Sequence, residues 1–340
     1  MIFLYELKKL LLAPAVIGFI VLCLGLNAAV AASLYKPEEM PPTTEPQNVF
    51  EGYSAGEQGE WYITKYHIPE KDAQNIRAKY AKLQPVIDAK AANGDARSYY
   101  FGEYTRQYHE ILFSIVLRLI IAEGCVLALF LALLSSGFEN ISGTEMTAYS
   151  SKIGRRIYVP KLAANVMAAV VCLAVLLAVS LMIFLARFDF SGVWGDNVSS
   201  GFNGAVGHYG LPFTTWRSFT VGGYFAAAIG AAFGLAVVFV LFGFAVGLFL
   251  RNSYAAIVTA IIALAVLFLL FNASPVGSVL RGVLGLTPVP LILQSPAWFT
   301  EGGENVIWAN FETIGLAATL AVTAAMTILA AKIFKKRELL

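Results

Sequence analysis

Six apolar runs, each long enough to cross a lipid bilayer, constrain this chain more than any other feature. They cover residues 10–34, 111–134, 162–185, 221–250, 254–271 and 311–333. A hydrocarbon core about 30 Å thick takes about 20 apolar residues in a helix that rises ~1.5 Å per residue. The expected fold is therefore an all-α polytopic membrane protein with six transmembrane helices. Composition agrees, because 58% of the 340 residues are hydrophobic and only 14% are charged, with a mean hydropathy of +0.69. Soluble domains carry about a quarter of their residues as charges. Cys23, Cys125 and Cys172 all fall inside apolar runs, which points to small lipid-facing or packing residues rather than a disulfide or metal framework.

Where the charges sit decides orientation, since short basic loops are retained in the cytoplasm. With the N-terminus inside, the cytoplasmic set is Lys8, Lys9, Lys152, Arg155, Arg156, Lys161, Arg251, Lys332, Lys335, Lys336 and Arg337. The short outer loops and their borders hold only Arg187, Arg217 and Arg281. Both termini are thus expected in the cytoplasm. A cleaved secretory signal is the competing reading of the start, because Lys8–Lys9, an apolar run and Ala29-Val30-Ala31 mimic its three regions.

Residues 1–12 mix Glu6, Lys8 and Lys9 with Ile2, Phe3, Leu4, Leu7, Leu10 and Leu11, as an interfacial helix does, and Pro14 marks the bend into the first span. Between the first two spans lies a polar insertion, expected outside the membrane as a helical domain over 35–108. It opens on a proline-rich tether at 36–46. Ile76, Tyr80, Leu83 and Ile87 then line one helical face within 69–93, expected to break at Pro85 and to end at Asn93–Gly94. A second helix is expected from Ala96, carrying Tyr99, Tyr100, Tyr104 and Tyr108 into the next span as an interfacial aromatic belt. This domain is either a substrate gate or a hairpin held by aromatic packing. His67 and His109 lack ligand partners at metal-binding spacing.

Arg118 and Glu123 stand inside the second span, where charges are costly and are functional candidates by default. Five residues separate them, or roughly 140° around a helix, so each is expected to find a partner on another helix. Snorkelling toward the outer surface is the structural alternative for Arg118. The fourth span carries Gly230-xxx-Gly234 and Gly243-xxx-Gly247, spacings that let helices approach closely, within one copy or between two. Only Arg251–Asn252–Ser253 separates it from the fifth span. In 274–308, apolar pieces too short to cross are broken by Pro275, Pro288, Pro290 and Pro296, as in re-entrant or interfacial helices.

The most informative polar stretch is 138–161, between the second and third spans. Glu139 and Glu145 open it, Gly143–Thr144 make a turn, and Arg155, Arg156 and Lys161 close it, which suggests a short helix across the cytoplasmic face. The order of Glu139, Gly143, Thr144, Arg155 and Lys161 resembles the loop between the second and third spans of ABC-2 type transporter permeases, although Ile153–Gly154 stand where that family carries a proline. The resemblance extends to the N-terminal elbow helix, the six-span topology and the re-entrant outer segment. It implies a coupling helix at 138–161 that docks on a separate ATPase, two copies of that ATPase, and a second permease copy in a homodimer or heterodimer. ATP and Mg²⁺ belong on the ATPase, with no cofactor in this chain. Export of an amphipathic peptide, drug or lipid across a bacterial plasma membrane follows from the same resemblance, with membrane lipid but no nucleic acid as a further partner.

The chain has no G-x-x-x-x-G-K-[ST], H-E-x-x-H or G-x-S-x-G motif, so no ATPase, zinc-protease or serine-hydrolase chemistry is expected of it. Two other readings stay open. One is a membrane enzyme using Glu123, Asp189, Asp196, Glu301 or Glu304 as acid or base. The other is a sensor or immunity protein whose outer domain binds a peptide without moving it.

Overall fold

A computed structural model describes residues 2–35, 48, 50–95, 109–144, 147, 154–190, 192–199, 213–250 and 252–336. Helix α1 (Ile2–Leu11) precedes the first span, α2 (Pro14–Leu34). The hairpin α3 (Ala55–Lys65) and α4 (Glu70–Asn93) follows. A π-helical turn, Ile111–Val116, leads into α5 (Leu117–Ile141). Then come α6 (Tyr158–Leu185), α7 (Val221–Phe249), α8 (Ser253–Ala273), two short helices α9 (Val279–Gly285) and α10 (Pro288–Leu293), and α11 (Phe311–Lys336). Six of these helical stretches are long and apolar enough to cross a membrane, and the described residues contain only two isolated β-bridges. The chain is a helical, multi-pass membrane protein.

Local chemistry sets the helix ends. Pro14 starts α2 at a position whose N–H has no partner inside a helix. Ser54, Thr220, Asn252 and Ser278 accept backbone N–H bonds as N-caps of α3, α7, α8 and α9. α4 stops at Gly94, whose φ of +68° suits glycine. At the C-terminal end of α8, Arg281 donates to the Phe271 and Ser274 carbonyls at 3.2 and 2.7 Å, supplying the last turn with donors the helix lacks.

Burial ranks the spans. α7 buries 67% of its apolar window and is packed by α5, α6 and α11, whereas α8 buries 17% and α2 22%. In lipid there is no hydrophobic drive between helices, so close approach has to come from small residues. At Gly243 an added Cβ would lie 2.8 Å from Leu129 Cδ1 and 3.1 Å from Ala132 Cβ, and at Gly247 it would overlap Ser136. Gly234 abuts Leu316 of α11, while Gly230 meets nothing within 4 Å. Three of the four expected packing glycines therefore serve contacts inside one copy. Gly243→Leu is expected to cost about 1–3 kcal/mol through overpacking, and Gly230→Ala to be neutral or gain up to ~1 kcal/mol from helix propensity. Thermal midpoints in detergent compare the two.

The structure corrects several expectations. α5 runs on to Ile141 and α6 begins at Tyr158, so Glu139 and Lys161 are helical residues and only 142–157 connects them. α4 continues through Pro85, because burial of Ile76, Tyr80, Leu83 and Ile87 on both sides outweighs one lost hydrogen bond. All three cysteines are buried, so none faces lipid. The tether at 36–46, the helix expected over 96–108, Glu145, the Arg155 side chain and most of the helix expected within 138–161 lie outside the described residues.

Candidate functional site

At one end of the bundle, four segments converge on a buried ion pair. Lys161, in the first turn of α6, binds both carboxylate oxygens of Glu139, in the last turn of α5, and donates to the Ser135 carbonyl at 3.0 Å. Both residues are buried, Lys161 at 3% and Glu139 at 6% relative exposure. Each charge opposes its own helix dipole, a cation at an N-terminus and an anion at a C-terminus. Paired, each lies against the oppositely polarised end of the other helix. Asn165, one turn on, donates to the Lys161 carbonyl at 2.7 Å.

Helix α1 joins this cluster from the side. Lys9 pairs with Glu6 at 2.5 Å and sits 4.0 Å from the centroid of the Phe138 ring, while Glu6 and Leu10 are buried. Lys335 of α11 approaches the Tyr158 ring at 5.2 Å. The N-terminal helix, the α5–α6 connection and the end of α11 thus share one end of the molecule. Gly143, at φ +65°, and Thr144 form the C-terminal turn of α5, with Thr144 N–H bonded to the Glu139 carbonyl at 3.0 Å. Arg156 is exposed in the 3₁₀ turn Gly154–Ile157. Beside the α5 terminus, Asn140, Ile141, Asn252, Ser253, Tyr254 and Ile257 line an open cleft of about 690 Å³.

Of the two charges expected inside the second span, only Glu123 has a partner among the described residues. Glu123 accepts from Asn27 Nδ2 at 2.8 Å, and the same nitrogen contacts Ser180 Oγ at 2.9 Å. Arg118 is exposed and pairs with no acid among the described residues. It lies about seven residues, or roughly 10 Å, from the Ile111 end of a stretch whose 31 residues exceed the bilayer core.

At the opposite end the α3–α4 hairpin is docked rather than tethered. Its own core of Phe50, Tyr62, Ile68, Ile76, Tyr80, Leu83 and Ile87 incorporates Ile307 and packs on Trp216, Val276 and Trp308. Lys79 Nζ donates to Glu301 Oε2 and the Glu301 carbonyl, both at 3.0 Å, and to the Gly303 carbonyl at 2.6 Å. Tyr80 donates to the same Glu301 carboxylate at 2.7 Å. Lys90 donates to Thr215 Oγ1 at 3.1 Å and pairs with Asp95 at 3.4 Å, and Ser218 holds Asp95 at 2.8 Å. Glu301, an expected acid or base, is consumed as a docking anchor, and Glu304 accepts from Asn305. His109 packs between Phe113 and Phe190. No group of three metal-ligating side chains occurs among the described residues.

Burial presses Lys79 and Lys90 below the usual lysine range, against the pull of Glu301 and Asp95. Burial, helped by the Glu301 charge, pushes the Tyr62 and Tyr80 phenols up. The two effects oppose each other in alkali. The undocked lysines bind more protons just below pH ~10.4, so docking gains as pH rises through that window. The undocked phenols ionise from about pH 10, so docking is then lost with rising pH, by up to ~1.4 kcal/mol per phenol per pH unit. Above about pH 10.4 only the phenols count. Tyrosinate absorbance is expected to show Tyr62 and Tyr80, with Tyr53 beside them, titrating only as the hairpin becomes protease-sensitive.

Asn27, Ser180, Lys79 and Lys90 were missed as site residues in the sequence. A lone Asn within an apolar span was the available signal for Asn27. Lys79 and Lys90 stand three residues after Ile76 and Ile87 and so lie on the apolar face, which a solvated lysine avoids. No family model, curated protein or solved structure matches this chain.

Proposed function

We propose that this chain is the transmembrane subunit of an ATP-binding cassette exporter of the ABC-2 type. It moves an amphipathic peptide, drug or lipid, driven by a separate ATPase docked on the 142–157 connection and its flanking helix ends. The observation that carries the reading is the Glu139–Lys161 pair. It clamps the ends of two spans so that a push on the connection moves both as a unit, and α1, as an elbow helix, is fixed to the same base. The cleft beside Tyr254, itself 82% exposed, offers the partner an apolar recess at the end of α5.

In this reading the ion-pair end faces the cytoplasm of a bacterial cell with both termini, and the docked hairpin faces outward. Two permease copies and two ATPases make the working unit, with ATP and Mg²⁺ on the ATPases. The test is a pull-down of the detergent-solubilised protein from its native host, wild type against Gly143→Pro/Arg155→Glu. A nucleotide-binding subunit is expected with the wild type and not with the double mutant. Its absence from both removes the exporter reading. The hairpin fixed by Lys79 to the segment before the last span favours a second reading, a sensor that binds an extracellular peptide. In that case ligand binds in reconstituted membranes without ATP-dependent transport.

A further inference from the structure

The first span is held to the bundle by very little apolar surface. Of its 21 residues only Val16, Cys23, Asn27 and Ala31 are buried. Within a bilayer, apolar contact with a helix is scarcely better than contact with lipid, so polar bonds decide whether such a helix stays docked. Asn27 makes them, to Glu123 on α5 and Ser180 on α6. Both amide hydrogens are then committed, one to Glu123 Oε2 and one to Ser180 Oγ. Glu123 Oε1 and Asn27 Oδ1 are buried without a donor.

An ionised Glu123 has no cation to offset it among the described residues. α2 contributes one titratable group, Cys23, whose thiol lies against the carboxylate. α6 contributes Cys172, since Lys161 is bound at the far end. α7 contributes Tyr224, in its first turn and bonded to the Trp298 carbonyl. α8 contributes Tyr254, exposed at the far end. Arg118, on the same helix as Glu123, is exposed and turned ~140° away. A bare carboxylate there is strongly disfavoured, and one added proton both removes the charge and supplies a donor where two acceptors stand empty.

We propose that Glu123, Asn27 and Ser180 form an intramembrane proton-binding site that latches the first span to the bundle. The occupied site holds the neutral acid, with the proton on Oε1 and Asn27 Oδ1 as the acceptor still available within the cluster. Loss of the proton leaves a buried anion, and α2 moves off its seat to let water reach it. The site is independent of the ATPase-coupling reading, because it lies among spans far from the 142–157 connection.

Two measurements on the full chain in nanodiscs test it. Infrared difference spectra of wild type against Glu123→Gln at neutral pH are expected to show the carbonyl stretch of one protonated carboxylic acid, missing from the variant. Finding an ionised carboxylate stretch instead overturns the site. For the latch, Ala31→Cys is introduced after the native cysteines are replaced by alanine, and its modification by a membrane-permeant thiol reagent is followed against pH. Dividing the rate by that of the same protein carrying Glu123→Gln cancels the ionisation of the thiol itself. The ratio is expected near one at neutral pH and to rise roughly three- to thirty-fold in alkali, the factor carried by an interhelical hydrogen bond in a membrane. A ratio that stays at one throughout overturns the latch. Glu123→Gln is expected to fold, because its amide supplies the donors the neutral acid would.

Discussion

Lys161→Ala is expected to destabilise the protein by about 3–5 kcal/mol, the cost of leaving the partner charge buried and alone. The carboxylate of Glu139 would lose the one cation that pairs with it among the described residues while remaining at the C-terminus of α5, where the helix dipole already opposes it. Glu139→Ala is expected to cost a similar amount, with Lys161 left at a helix N-terminus. The double variant Glu139→Leu/Lys161→Met should recover most of the loss, since an apolar pair of similar volume can replace a buried ion pair at little cost. Thermal midpoints in one detergent compare wild type with Lys161→Met, Glu139→Leu and the double variant built from the same substitutions. A loss in the double variant equal to the sum of the two single losses would show that the charges do not act as a pair. The double variant also separates clamp from docking surface, because a folded protein that keeps its ATPase shows that the charges hold the helices rather than touch the partner.

Lys79→Met is expected to release the α3–α4 hairpin while leaving the six spans folded. The substitution keeps most of the buried stem but removes three hydrogen bonds and leaves the Glu301 charge with only Tyr80 and the Gly303 N–H. Breaking a buried pair from one side costs about 3–5 kcal/mol, which is comparable to what holds a small two-helix unit in place. Hydrogen exchange is expected to accelerate across 55–93 and in 300–306, with no change in α5, α6 or α7. Adding Glu301→Gln should restore part of the protection, because the unpaired charge is then gone. Unchanged exchange in Lys79→Met would move the anchor to the apolar contacts of Ile307 and Trp308.

The sequence by itself determined the helices that cross. Long apolar runs admit only one backbone solution in lipid, so the third to sixth spans begin and end within four residues of expectation. It also determined that α1, the insertion and the 279–293 helices would be separate short elements, since their charges and prolines exclude them from a span. What it could not determine was which face of each span meets protein. In a soluble helix an apolar stripe marks the core, but α2, α7 and α8 are apolar all round and carry no such stripe. Only packing decided that Gly243 and Gly247 seat α5 while Gly230 stays open.

The same limit governs the polar residues. Glu139 and Lys161 are visible as charges at span ends, but their pairing depends on two helices ending side by side. Glu123 stands out in the sequence and its partner Asn27 does not, because Asn27 lies 96 residues from Glu123 and 153 from Ser180, the other side chain it bonds. Arg118 looked like the equal of Glu123, and the rotation of α5 turned one inward and the other out. Hydropathy is a property of each segment alone and fixes the segments, whereas the partner of a buried charge belongs to the packed arrangement and exists only in the tertiary structure.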